Sequence, residues 1–233
     1  MTSPTVPEDA RYEVKFVAEA VRYHELEQWI RLHPAGFRTS YPPRRVNNVY
    51  FDTPDLDAYA ENLSGASARS KVRLRWYGET FTPTSTCLEV KRRRNHLGWK
   101  LLFRTGAMDF TRHSWNALRR QLREMLPPEG KLWLDTHPQP VLINRYYRQY
   151  FEAPEGKLRA TLDFRQGVMD QRIRSHPNLR HRANLPDTLV VEIKFHRRDH
   201  DLGSRAIAGI PIRVSRNSKY TIGVQSILGP LGC

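Results

Sequence analysis

Apolar and polar residues alternate with a period of two over eight short stretches of this chain, roughly 11–17, 45–51, 69–77, 86–93, 98–104, 141–151, 157–164 and 187–196. That period predicts β-strands with one apolar and one polar face. Between some of them the period lengthens. Residues 19–33 place Val21, Leu26, Trp29, Ile30 and His33 near helical spacing. A second helix is expected from Ser114, an N-cap residue, with Trp115, Leu118, Leu122 and Met125 on its stripe, ending at Pro127-Pro128-Glu129-Gly130. A short helix is expected from Asp55 to Leu63. Many strands with few helices predict an α+β fold built on an antiparallel sheet or barrel. The chain shows no repeat, low-complexity linker or composition break. Residues 1–9 read as a loose tail and 10–233 as a single domain.

The polar faces have an unusual content. In KVRLRWY, Lys71, Arg73 and Arg75 share a face, opposite Val72, Leu74 and Trp76. Neighbours on that row stand roughly 7 Å apart, and each pair repels by about 0.6 kcal/mol in water and about 2.4 kcal/mol at an effective dielectric of 20. The pattern recurs: Arg11, Glu13 and Lys15 in RYEVKF; Glu89 and Lys91 in CLEVK; Tyr146, Arg148 and Tyr150 in YYRQY; Arg159, Thr161 and Asp163 in LRATLDF; Glu192 and Lys194 in VVEIKF. Lys100 heads the strand-like KLLFR and joins the set. Taken one strand at a time, such a face is a solvated one. Across six strands, cations at i and i+2 with a carboxylate between them suit charged faces turned toward one another inside a barrel. Buried like charges are expensive unless compensated. A phosphate chain with a divalent cation would compensate them, because arginine forks onto phosphate oxygens and hard metals take carboxylate oxygen.

Composition narrows the partners. A formal net charge of +14 over 233 residues points to polyanions. Cys87 and Cys233 supply no disulfide framework, the opening MTSPTVPEDA lacks the features of a signal peptide, and no apolar run reaches a bilayer-spanning length. These features place the protein in a reducing compartment, the cytoplasm, without a membrane segment. Nucleic acid is disfavoured, since the chain shows no stacked-aromatic RNA motif and the interleaved carboxylates would repel a backbone. His196 and His200 stand at i, i+4 without further zinc ligands, the sequon at Asn62 has no secretion signal beside it, and KRRR at 91–94 and NLRHR at 178–182 read as solvated loops or guides for a polyanion. There is no glycine-rich phosphate loop, so a nucleotide would be held by side chains.

The ordered segments RYEVKF, VNNVYFDT, RSKVRLRWYG, LEVKRR followed by Lys100, YYRQYF, LRATLDF, VVEIKF and SKY at 218–220 resemble the VTC domain. This is the catalytic domain of the vacuolar transporter chaperone polyphosphate polymerase, within the triphosphate tunnel metalloenzyme (CYTH-like) superfamily. The resemblance implies an eight-stranded antiparallel β-barrel, a basic tunnel with helices packed outside. It also implies transfer of the γ-phosphate of ATP onto a polyphosphate chain with Mn²⁺ or Mg²⁺. By the same resemblance Arg73, Arg75, Arg148, Arg159 and Lys219 are the catalytic set. Lys15, Lys71, Lys91, Lys100, Tyr146, Arg216 and Ser218 bind phosphate or nucleotide, with Lys71 toward the rim. Glu192 is the metal ligand, with Glu13, Glu89 and Asp163 as further carboxylates. On the residues alone, Glu192 could instead pair with Lys194, Asp163 could orient an arginine, and Glu13 could pair with Arg11 or Lys15. Tunnel triphosphatases typically open with Glu-x-Glu-x-Lys; Arg11 replaces the first glutamate here, which weakens a metal clamp for hydrolytic water. The polymerase reading therefore leads a metal-dependent triphosphate or nucleotide hydrolase. A non-catalytic module binding polyphosphate or an inositol phosphate is the third reading.

Overall fold

In the computed structural model, residues 7–8, 10–95 and 97–229 are described. Cys233 and most of the expected N-terminal tail lie outside them. The elements, in chain order, are β1 (Arg11–Glu19), α1 (Tyr23–Arg31), β2 (Arg38–Asp52), α2 (Asp57–Ser64), β3 (Ala68–Tyr77), β4 (Thr86–Arg94), β5 (Leu97–Thr105), α3 (Trp115–Met125), α4 (Pro128–Thr136), β6 (Gln139–Glu152), β7 (Leu158–Asp170), β8 (Thr188–His196), α5 (His200–Ile207) and α6 (Lys219–Leu228).

The eight strands form an antiparallel ring in the order β1-β5-β4-β3-β2-β6-β7-β8, closed by β8 pairing back onto β1. Seven seams are long. The eighth, between β1 and β5, rests on one register pair, Arg11 with Gly98. All eight expected strands are present, several of them longer than the alternation implied. β2 starts at Arg38, because its first half pairs with β6 through register shifts that a period-two pattern does not carry. Arg92, Arg93 and Arg94 continue β4 rather than forming a loop.

The apolar faces point outward and the helices cover them. Val72, Leu74, Trp76, Leu88 and Val90 pack against α3 and α4 through Trp115, Leu118, Leu122 and Leu134. Phe16, Leu158, Ala160, Val191 and Ile193 meet Leu26 and Ile30 of α1 and Ala206 of α5. Val141, Leu142 and Val168 meet Ala58 of α2 and Tyr220 and Val224 of α6. Burying a side chain of this size contributes about 1.5–3 kcal/mol, so each face is held by several such terms.

Two helical expectations are corrected. The 19–33 stripe is broken: β1 runs to Glu19, a 3-10 turn spans Ala20–Arg22, and only Leu26 and Ile30 of α1 are buried. The turn shifts the phase, and Val21 lies 82% exposed. Ser114 does cap α3, accepting from Ala117 N, but Pro127-Pro128-Glu129-Gly130 is not a plain breaker. Pro128 opens α4, where its missing N–H is not needed. α5 and α6 were not read from the sequence at all.

Candidate functional site

With the apolar faces outside, the charged faces meet inside the ring. They line a cavity of about 560 Å³, counting its open mouths, bounded by Glu13, Lys15, Tyr50, Lys71, Arg73, Arg75, Lys91, Lys100, Tyr146, Arg148, Glu192, Lys194, Ser218, Lys219 and Tyr220. Nine of these side chains are cationic; four carboxylates, Glu13 and Glu192 in the lining and Glu89 and Asp163 beside it, leave an excess of five positive charges.

The arginines are fixed from behind. Arg73 donates to Glu89 Oε2 through Nε at 2.8 Å and Nη2 at 2.5 Å, and to Tyr50 Oη at 3.1 Å. Arg75 donates to Asn48 Oδ1 at 2.8 Å, Tyr146 Oη at 3.3 Å and Glu89 Oε1 at 3.4 Å. Arg148 forks onto Asp163 at 2.5 and 2.7 Å, and Lys219 donates to the same carboxylate at 2.5 Å. Burial pushes the Glu89 and Asp163 carboxyls up, but Arg73 and Arg75 on one side and Arg148 and Lys219 on the other hold them well below the usual range. These two acids therefore orient guanidiniums, one of the roles left open for Asp163.

The lysines are arranged differently. Lys91 donates to Glu13 at 2.6 Å; Lys15 lies 3.6 Å from Glu192 and 4.0 Å from Glu13 and donates to Asn217 O at 3.0 Å; Lys194 also contacts Glu192. Burial lowers the Lys15 ammonium, but Glu192 and Glu13 outweigh it and the pKa rises. Lys71 has no such partner. It is part-buried in the lumen rather than at the rim, donates to Ser218 Oγ at 3.0 Å, and is depressed by burial and then by Lys91, Lys15, Arg69 and Arg73. Burial lowers Lys91 to about 8 against the pull of Glu13, and Lys100 to about 7 against the pull of Glu89. Lys100 is nevertheless exposed by surface area, and solvent screening softens its depression.

α6 brings in the last groups. Asp52, fully buried at the end of β2, accepts from Ala58 N at 2.9 Å and Tyr59 N at 3.1 Å of α2 and from the Tyr220 hydroxyl. Tyr220 stacks on Tyr50 with centroids 5.0 Å apart. Ser218 caps α6, accepting from Thr221 N at 3.2 Å, so Ser218 and Lys219 face the lumen.

Two expected residues stand apart. Arg159 is half exposed and bonds Glu152 at 2.8 Å, two register positions beyond the Tyr150–Thr161 pair. Arg216 is exposed beside the turn at Gly65. Neither lines the cavity. Tyr50, Lys194 and Tyr220 line it without having been singled out. Lys194 was visible in the alternation of VVEIKF; Tyr50 and Tyr220 carried no charge to mark them.

Glu13 and Glu192 are the carboxylates not committed to arginine. They stand diagonally on β1 and β8, where the register sets Glu13 opposite Lys194 and Glu192 opposite Lys15; the Glu192 charge raises the Glu13 carboxyl, and lysines keep both acids ionised despite burial. No cluster of three or more histidine, cysteine or acidic residues suited to a metal occurs among the described residues. Two carboxylates beside a wall of arginines and lysines fit a hard divalent cation that takes its remaining ligands from other oxygens and water.

The VTC domain family model matches residues 10–228, almost the whole chain. No curated protein sequence matches. Among solved structures, a protein from Bacillus halodurans described as a candidate adenylate cyclase matches over 88% of this chain and 94% of its own, with 12% identity and a TM-score of 0.46. No helix of the described residues is long and apolar enough to cross a membrane.

Proposed function

We propose, from the premise that this chain belongs to the VTC domain family, that it is a phosphotransferase moving the γ-phosphate of ATP onto a polyphosphate chain. The observation that carries the reading is a lumen walled by cations, whose guanidiniums are held in place by buried carboxylates before any ligand arrives. Phosphoryl transfer needs little covalent chemistry from the protein; positioning and charge stabilisation dominate.

In this reading Arg73, Arg75 and Arg148 hold the donor phosphates in line, each forked side chain fixed by Glu89 or Asp163. Lys15, Lys91, Lys100 and Lys219 neutralise the chain and the leaving diphosphate. Lys71 and Ser218 hold the acceptor side as a pair. The acceptor is a phosphate terminus already ionised, so no general base is required. Glu192 and Glu13 would hold a divalent cation, Mn²⁺ or Mg²⁺, which when bound supplies charge neutralisation at the phosphate oxygens. Arg159 and Arg216 lie outside the cavity and take no part in this arrangement.

The test is incubation of purified protein with ATP and Mn²⁺, following ADP, free phosphate and chain length together. ADP with a lengthening ladder and little free phosphate is expected. Phosphate without a ladder would assign the tunnel to the hydrolases, and binding of polyphosphate or an inositol phosphate without turnover would make it a receptor.

A further inference from the structure

Along β3 the row that contains the lumen-lining Lys71, Arg73 and Arg75 begins at Arg69 and ends at Tyr77. Successive members are about 7 Å apart, so the tunnel has an arginine end and a tyrosine end. At the arginine end the guanidinium of Arg69 is depressed by burial and then by its neighbours Arg93 and Arg216. The tyrosine end is built otherwise.

There the Arg44 guanidinium sits 4.8 Å from the Tyr77 ring centroid, 4.8 Å from that of Tyr150 and 4.9 Å from that of Tyr41. Tyr150 follows Arg148 by two residues on β6, and the Arg148 guanidinium lies 5.9 Å from its ring. The cluster thus stands one step outside the guanidiniums of the phosphate wall. Tyr41 and Tyr77 are 55% and 47% exposed, leaving ring surface open to the mouth. Arg44 Nε and Tyr150 Oη are buried and have no hydrogen-bond partner among the described residues. Buried polar atoms of this kind are ordinarily satisfied.

A phosphate chain can use a tyrosine hydroxyl, as at Tyr146, but has no use for open tyrosine ring faces. Open aromatic faces, a guanidinium plane and two buried polar groups without a partner match a flat ring bearing donors and acceptors on its rim. We propose that the Tyr41–Arg44–Tyr77–Tyr150 mouth binds the nucleobase of the nucleotide donor. This rests on the reading that a nucleoside triphosphate is the donor. It fixes the donor's direction: the triphosphate runs inward past Arg148, Arg75 and Arg73, and its γ-phosphate points toward the arginine end, where a long chain would lie.

The test compares ATP with ribose 5-triphosphate, which has the same phosphates and no base, by calorimetry on the intact protein. ATP is expected to bind about tenfold more tightly, the scale of one base–aromatic stack. Tyr77→Ala, exposed enough to fold, and Tyr150→Phe, which removes only the hydroxyl, should each shrink that ratio and leave the ribose triphosphate affinity unchanged. Equal affinities in the wild type would overturn the base site and leave the phosphotransferase reading intact. Variants that weaken both ligands equally would overturn it too, by assigning the tyrosines to the wall. Failure of both triphosphates to bind would sink both readings. For direction, Arg93→Gln is expected to weaken long-chain polyphosphate at constant ATP affinity; a loss of ATP affinity instead would reverse it.

Discussion

The arginines and lysines of the lumen carry the same charge and solve its burial in opposite ways. Arg73, Arg75 and Arg148 are each locked to a buried carboxylate and stay ionised. Their guanidiniums cannot shed protons at any ordinary pH, so the fold must supply permanent counter-charge. Lys71, Lys91 and Lys100 are only partly compensated, and their ammoniums are depressed by burial and, in each case, by neighbouring cations. These ammoniums give up protons more readily than free lysines do. The arginine wall is therefore permanently charged and pinned by its acids, whereas the lysine wall is the part whose charge can respond to pH.

The largest expected effect comes from breaking the arginine wall. Glu89→Ala strands two buried guanidiniums and should cost about 3–5 kcal/mol, read as a lower denaturant midpoint; Asp163→Ala should behave alike. A cost below ~1 kcal/mol would mean the guanidiniums find water or another partner and are not locked. Next, Arg73→Ala removes a fixed donor to the transferring group. About a 100-fold or greater loss of turnover is expected in the ATP and Mn²⁺ assay, and intact nucleotide turnover would refute its role.

The lysine wall is tested by pH. A bound polyphosphate would raise the depressed ammoniums toward their ordinary value, so binding should take up protons. Affinity should fall as pH rises from about 7, the value for Lys100, past about 8, the value for Lys91. Calorimetry in buffers of different ionisation enthalpy would detect the uptake, and its absence would mean that the lysines are already fully charged before the anion binds. The smallest effect is on the empty protein. Lys71 lies among cations, and an ammonium held below its unfolded pKa costs stability at neutral pH. Lys71→Met should therefore stabilise the protein by on the order of 1 kcal/mol, read as a higher melting temperature, while weakening tripolyphosphate binding. A drop in melting temperature would show that the Lys71–Ser218 contact outweighs the repulsion.

Much of this site was legible residue by residue. Alternation placed Lys71, Arg73, Arg75, Glu89, Lys91, Arg148, Asp163 and Glu192 on charged strand faces, and all of them are at or beside the lumen. Alternation also placed Arg159 on such a face, but it cannot say how far along the ring a strand's charged row reaches, and Arg159 falls at the rim. Tyr50 and Tyr220 escaped notice because an uncharged ring on a strand or helix reads as core, which both also are. Asp52 was not singled out in the sequence; only the approach of α2 and α6 reveals it as the anchor that turns Ser218 and Lys219 inward.

By itself the sequence determined which faces are charged, because the strand period is local and every second residue must share a side. It likewise determined that cations outnumber acids, at a formal net charge of +14. Only the tertiary structure decided which acid answers which cation. Glu89 could not be assigned to Arg73 and Arg75, Asp163 to Arg148 and Lys219, or Glu13 to Lys91 from spacing, because these pairs are set by strand register and by the stagger of the ring. That assignment separates a locked arginine wall from a titrating lysine wall.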